Sequence, residues 1–286
     1  IEFWKHPNGI GQPVDMEVQD SDYSTFTSLM RDNKIPFTIQ ISDVEKEIQQ
    51  QQTSNARSWY SSYHSSYHNL NEIHYKLQQI ANSRPSMSKV FSIGSSYEGR
   101  QMNAIEIKGR YRQNKPVFFW ECGIHAREWI SPATCMYSIE QMVTQYGKDS
   151  SVTALLDKMD FIVLPVLNVD GYAYTWKGKS RSYRMWRKNR RPSGRGCIGT
   201  DLNRNWAHKW GGSGASPNPC RETYRGTRSF SERETYNVKR YLERLGSRLQ
   251  GFIDMHAYSQ MWFTPWGYTS AKPPHYSEQV TIDSYI

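Results

Sequence analysis

Residues 116–129 read Pro116-Val117-Phe118-Phe119-Trp120-Glu121-Cys122-Gly123-Ile124-His125-Ala126-Arg127-Glu128-Trp129, and this stretch decides the fold. Its first seven residues form an apolar run bounded by polar ones, the pattern of a strand buried on both faces. Directly past the strand's C-terminal end come His125 and Glu128, three residues apart, where open α/β sheets place their ligand sites. On a helical turn the two side chains project to one side and could bind one zinc ion through an imidazole nitrogen and a carboxylate oxygen. A His-x-x-Glu pair alone is equally compatible with a solvated helix start carrying a salt-bridged glutamate.

The same alternation continues outward from this strand. Leu70, Ile73, Leu77 and Ile80 repeat at helical spacing. Residues 90–95 and 104–107 read as two strands of a hairpin. A helix is expected from Ser131 as cap, with Pro132 in its first turn, to a stop before Gly147. Residues 161–167 repeat the buried-strand pattern, and Ser231 with Glu234 suggests a capping box for a helix that stops at Gly246. Residues 251–255 form a short third strand of the buried type. Strands alternating with helices predict an α/β fold: a mixed, mostly parallel sheet with helices on both faces.

His256 ends that last strand, so it and His125 both sit at the C-terminal end of a strand. A catalytic zinc site typically takes three protein ligands, and His125, Glu128 and His256 supply a His₂Glu set. A satisfied core histidine is the plain alternative for His256. Asp201, in Asp201-Leu202-Asn203-Arg204-Asn205-Trp206, could accept a hydrogen bond from a ligating imidazole and fix its tautomer.

Residues 1–50 read as part of a small α/β unit. Residues 14–18 and 36–41 alternate as strands, the latter with Phe37, Ile39 and Ile41 on one face, and residues 23–30 suit a helix. A short helix after Asp43 is expected to dissolve into a polar, exposed connector over residues 49–57. Arg57 there is either a tryptic cut point or incidental. The chain opens at Ile1 rather than Met and shows no signal peptide, which reads as a processed or trimmed chain.

Composition excludes several classes. With 37% hydrophobic and 14% aromatic residues, a sizeable core can form, and global disorder is ruled out. No apolar run approaches the roughly 20 residues that span a bilayer, so no membrane partner is expected. The net charge of +9 is concentrated: residues 177–195 hold nine basic side chains and no acid. Such a segment could bind a polyanion, but with the remainder near neutral no nucleic-acid partner is expected. Gly194-Arg195-Gly196-Cys197-Ile198-Gly199 matches a dinucleotide fingerprint only as a string, because it follows an arginine-rich segment and opens no helix. Cys122, Cys135, Cys197 and Cys220 contain no C-x-x-C pair. They read as two disulfides of a secreted protein, or as four reduced cysteines.

Taken together, Gly123-Ile124-His125-Ala126-Arg127-Glu128-Trp129, Asn168-Val169-Asp170-Gly171-Tyr172, Met185-Trp186-Arg187-Lys188, Asp201-Leu202-Asn203-Arg204-Asn205-Trp206 and His256-Ala257-Tyr258-Ser259-Gln260 resemble the carboxypeptidase A/B family of zinc metallopeptidases. Order and spacing match from about residue 58 to the end. Residues 1–57, with Phe3-Trp4-Lys5, resemble the C-terminal part of that family's inhibitory prosegment, a small α/β open sandwich. The resemblance implies two units: a prosegment and connector over residues 1–57, and a catalytic domain over residues 58–286.

It implies, further, a secreted, extracellular, monomeric zymogen with one zinc ion, activated by a trypsin-like protease at Arg57. Such an enzyme would remove single C-terminal residues, with a lean toward basic ones. Zinc would be held by His125, Glu128 and His256. Asn203 and Arg204 would hold the substrate's terminal carboxylate, for which a guanidinium fork is apt. Arg187 would stabilise the oxyanion, and Arg127 and Tyr258 would line outer subsites. Cys197 would pair with Cys220, and Cys122 with Cys135. Ala257 departs from the serine of many members. The family's catalytic glutamate, substrate-capping tyrosine and specificity-pocket residue would all fall beyond Ile286, so the chain as given is expected to have negligible activity. A zinc-binding pseudo-peptidase that recognises peptide C-termini is the alternative.

Overall fold

The computed structural model of the protein describes residues 2–5, 11–58, 62–110 and 114–283. At the N-terminus β1 (Glu2–Lys5) pairs antiparallel with β2 (Asp15–Glu17), followed by α1 (Asp20–Asp32) and α2 (Val44–Ser58). Two expectations fail here. Residues 36–41 form no strand, and Phe37, Ile39 and Ile41 are exposed. Alternation alone does not make a strand without a hydrogen-bonding neighbour, and β1 and β2 pair only with each other among the described residues. Residues 49–57, expected as a connector, are helical within α2. Glutamine is a good helix former, so a polar run need not be a coil.

Beyond α2 the chain builds its main layer. Helix α3 (Leu70–Ser83) buries Leu70, Ile73, Leu77 and Ile80 on one stripe. Asn69 caps it by accepting from the amides of Asn71 and Glu72, while Glu72 accepts from the Asn69 amide in return. Strands β3 (Ser88–Ser95) and β4 (Gln101–Ile107) form the expected hairpin. The buried run becomes β5 (Val117–Cys122). Next come α4 (Ile130–Gln145), α5 (Ser150–Lys158), β6 (Asp160–Leu164), α6 (Val169–Thr175) and α7 (Arg181–Arg184). A small hairpin of β7 (Pro192–Gly194) and β8 (Cys197–Ile198) then takes up the glycine-rich string. The chain closes with α8 (Arg233–Leu245), β9 (Leu249–Met255) and α9 (Tyr276–Asp283).

The five-stranded sheet has the order β3-β4-β6-β5-β9. Pairings β3–β4 and β4–β6 are antiparallel, and β5–β6 and β5–β9 are parallel, so the sheet is mixed in equal parts. Helix α3 packs on α4 and on the hairpin, while α8 reaches the sheet through Tyr241, whose ring lies against Phe91 and Phe119. Every residue of β6 is buried. By contrast β9 is an edge strand among the described residues, with Phe252 exposed, and is not the doubly buried strand expected from its apolar run.

The proposed caps also differ. Ser131 lies inside α4 and Ser231 precedes α8, and the caps of these helices, Trp129 and Glu232, make no side-chain cap bond. The Ser231 hydroxyl donates to Glu232 instead. Among the described residues no helix is long and apolar enough to cross a membrane.

Candidate metal centre

The parallel pairing of β5 with β9 sets Cys122 opposite Met255, so the loops leaving the two strands start side by side. Ser131 ties them together: its hydroxyl accepts from the Gly123 amide (2.9 Å) and donates to the Met255 carbonyl (2.5 Å). That use of Ser131 is why it does not cap α4. Gly123 has φ of +67°, and a Cβ there would meet Pro132, so the turn out of β5 requires glycine. Asn168 holds the far side of the loop, donating to the carbonyls of Ile124 and Arg187.

This framework brings His125, Glu128 and His256 together, with one donor atom from each lying within 4.8 Å of the others. Both Nδ1 atoms face the Glu128 carboxylate: His125 Nδ1 is 2.8 Å from Oε1, and His256 Nδ1 is 3.0 Å from Oε2. Burial would raise the Glu128 pKa, but the two imidazoles outweigh it and hold the carboxyl far below its ordinary range. The outer nitrogens also meet carboxylates. His125 Nε2 lies 3.1 Å from Asp201 Oδ1, and His256 Nε2 lies 2.8 Å from Asp254 Oδ2.

Asp201 is fully buried and takes two partners at once. One oxygen faces His125; the other accepts from Arg187 Nε (3.2 Å) and Nη2 (3.0 Å). Burial opposes ionisation of Asp201, yet Arg187 and His125 overcome it and keep the carboxylate charged. The same exchange acts on Arg187, where desolvation is outweighed by Asp201 and Glu128 and the pKa is raised. Asn203 Nδ2 lies 3.3 Å from His256 Nε2. Arg204 donates to the carbonyls of Gly214 and Asn203, and Arg127 to that of Met185. Asn203 therefore touches the cluster and the Arg204 charge helps keep Asp201 ionised, while Tyr258 is half-exposed and faces the N-terminal unit. Its hydroxyl donates to Asp15 of β2, and its ring meets Trp4 of β1 edge-on at 6.3 Å.

Much of the basic segment is engaged within the molecule. Arg184 is 8% exposed, lies 3.9 Å over the Trp129 ring, and donates to Gln51 and to the Arg127 carbonyl. Arg190 stacks on Tyr174, Arg191 reaches Glu232, and the 3%-exposed Lys188 donates to the Pro219 carbonyl. Arg181 pairs with Glu17, and its amide donates to Glu45. With these charges engaged inside the molecule, a polyanion surface has little to stand on. Both disulfides are present, Cys122–Cys135 and Cys197–Cys220. Arg57 lies in the last turn of α2, beside residues 59–61, which fall outside the described set.

Sequence reasoning missed Asp254 and Glu121. Glu121 and Asp254 had a visible signal, an acid inside an apolar strand pattern; Ser131 was seen but given a cap's role.

Fold and site thus define a mixed α/β protein whose parallel strand ends converge on a His–Glu–His set, preceded by a small N-terminal unit that touches the loops around it. The chain belongs to the zinc carboxypeptidase family: that family's profile matches residues 73–284, and the profile of the carboxypeptidase activation peptide matches residues 1–51. It is 40% identical over 274 residues to carboxypeptidase B of Homo sapiens, covering 94% of this chain and 64% of that relative. It is 35% identical to mast cell carboxypeptidase A of Rattus norvegicus, covering 99% and 68%. Among solved structures, thrombin activatable fibrinolysis inhibitor superposes with a TM-score of 0.83 at 40% identity, over 94% of this chain and 67% of that one. Carboxypeptidase A from Helicoverpa armigera gives 0.84 at 26% identity, over 97% and 68%. The chain therefore spans somewhat under two thirds of the length of carboxypeptidase B from Homo sapiens.

Proposed function

We propose that the protein is a secreted zymogen of a zinc metallocarboxypeptidase, which removes single C-terminal residues from peptides and proteins. The observation that carries the proposal is the donor set: two imidazole nitrogens and a carboxylate within 4.8 Å, with the outer nitrogen of each imidazole on an aspartate. This suits zinc, which takes nitrogen and oxygen ligands whose far sides are hydrogen-bonded. His125, Glu128 and His256 would hold one ion. When bound, zinc supplies a Lewis acid for a carbonyl oxygen and lowers the pKa of water.

The protein's own groups do the rest. Asp201 orients His125 and anchors Arg187, whose guanidinium stays charged next to the metal ligands and is suited to stabilise negative charge developing on the scissile oxygen. Arg204 and Asn203 would receive the substrate's terminal carboxylate, and Arg127 and Tyr258 would line outer subsites. Kinship with carboxypeptidase B favours basic C-terminal residues.

Residues 1–57 would act as inhibitory prosegment and connector, and residues 58–286 as part of the catalytic domain. The contacts of Asp15 and Trp4 with Tyr258, and of Glu17 and Glu45 with Arg181, support that role, because they tie the N-terminal unit to a proposed subsite residue and to the basic segment. A trypsin-like protease cutting at Arg57 would release it, once the last turn of α2 opens locally. Two disulfides fit an oxidising, extracellular location.

The test uses the protein at its natural length, before and after trypsin treatment, on peptides ending in lysine, arginine or leucine. Trypsin-dependent release of one C-terminal residue, abolished by a chelator and restored by zinc, is expected. Full activity in the chelated enzyme would overturn the reading, and zinc binding without hydrolysis would leave a protein that only binds peptide C-termini.

A further inference from the structure

Behind His256, on the side away from Glu128, lie two acids with no assigned role. Asp254 is two residues before His256 on β9, and its Oδ2 is 2.8 Å from His256 Nε2. Glu121 is its register partner on β5 and is 1% exposed. Asp254 Oδ1 and Glu121 Oε2 are both buried with no hydrogen-bond partner among the described residues. Native structures rarely leave such atoms unsatisfied without a functional reason. Burial, and then the charge of Asp254, push Glu121 well above the ordinary carboxylate range.

A second group competes for the same nitrogen. Asn203 Nδ2 lies 3.3 Å from His256 Nε2. An amide N–H donated to Nε2 would require that nitrogen to be bare, leaving the ring proton on Nδ1, the atom that faces Glu128. Asp254 does the opposite. It accepts from Nε2–H and leaves the Nδ1 lone pair free for a metal. Asp254 is nearer and charged, so its hydrogen bond prevails.

We propose that Asp254 is the positioning residue for His256: it holds the imidazole in the tautomer that ligates through Nδ1, against the opposite demand of Asn203. The proposal rests on the zinc-binding reading above and assigns to Asp254 the part that Asp201 plays for His125.

The experiment is a zinc titration of the full chain against a competing chelator at fixed pH, with the visible spectrum of the cobalt(II) form as a second readout. Wild type and His256→Ala come first. If wild type binds no zinc, or His256→Ala binds equally, the zinc-site reading itself fails and not this inference. Given that site, Asp254→Ala is expected to bind zinc about 10–100-fold more weakly and to alter the cobalt spectrum. Adding Asn203→Ala to that variant should recover part of the loss, which a merely structural role for Asp254 would not produce. Should Asp254→Ala fail to fold, Asp254→Asn keeps the shape without the charge and should lose affinity several-fold. Wild-type affinity in both Asp254 variants, or no recovery on removing Asn203, would overturn the proposal.

Discussion

Glu234, at the start of α8, is fully buried and has no cationic partner among its hydrogen bonds. Its oxygens accept from the Tyr97 amide (3.3 Å), from Asn189 Nδ2 (3.2 Å) and from its own backbone amide. Asp170 and Glu232 lie nearby, but their cations, Arg100 and Arg191, are directed to them. Desolvation, reinforced by the charges of Asp170 and Glu232, raises the Glu234 pKa from 4.5 to about 7. A raised folded-state pKa means that the folded protein holds the proton more tightly than the unfolded chain. The resulting stability is fully present below pH 4.5 and is lost as pH climbs to about 7. At 1.36 kcal/mol per pH unit the loss is about 3 kcal/mol, a sizeable share of a typical domain's stability.

Wild type alone will not display this cleanly. His74 is held down to about 4 by burial, and its contribution grows with pH over part of the same window. The comparison with Glu234→Gln removes that complication, since every other group titrates alike in both. Urea unfolding of the two proteins from pH 4 to 8 should give a stability difference that moves by about 3 kcal/mol in favour of the variant, and levels off above about pH 7. Any fixed cost of the amide only offsets the curve. A difference constant within about 0.5 kcal/mol across this range would refute the burial argument.

Two further outcomes follow from the disulfides and from the N-terminal unit. Replacing Cys197 and Cys220 by serine opens a loop with a sequence separation of 23. It should cost about 3 kcal/mol in the chain-entropy model, read from urea melts, and an unchanged midpoint would contradict it. Arg181→Ala removes the partner of Glu17 and should make residues 1–57 more susceptible to limited proteolysis, whereas an unchanged cleavage rate would deny the contact a holding role.

Much of this architecture was legible because its signals are local. The buried run of β5, the stripe on α3 and the hairpin of β3 and β4 each follow from spacing within a dozen residues. His125 and Glu128 could be placed because a strand end precedes them, and His256 because a second one does. What failed depended on neighbours the sequence does not announce. Residues 36–41 alternate properly but find no pairing strand, and the apolar run of β9 lies at an edge instead of the sheet's middle. Ser131 has the chemistry of a cap, but the proximity of Gly123 and Met255 gives its hydroxyl a different use. Asp254 was hidden for the same reason: its role depends on the ring it faces, not on its place in the strand.

The central claim is that His125, Glu128 and His256 form one zinc site, and zinc content per chain tests it most directly. Wild type and the three single alanine variants would be dialysed against the same trace of free zinc and assayed by elemental analysis, with circular dichroism confirming that each is folded. One zinc per chain in wild type and a large loss in every variant is the predicted result. Stoichiometric zinc in folded His256→Ala, or none in wild type, would contradict it.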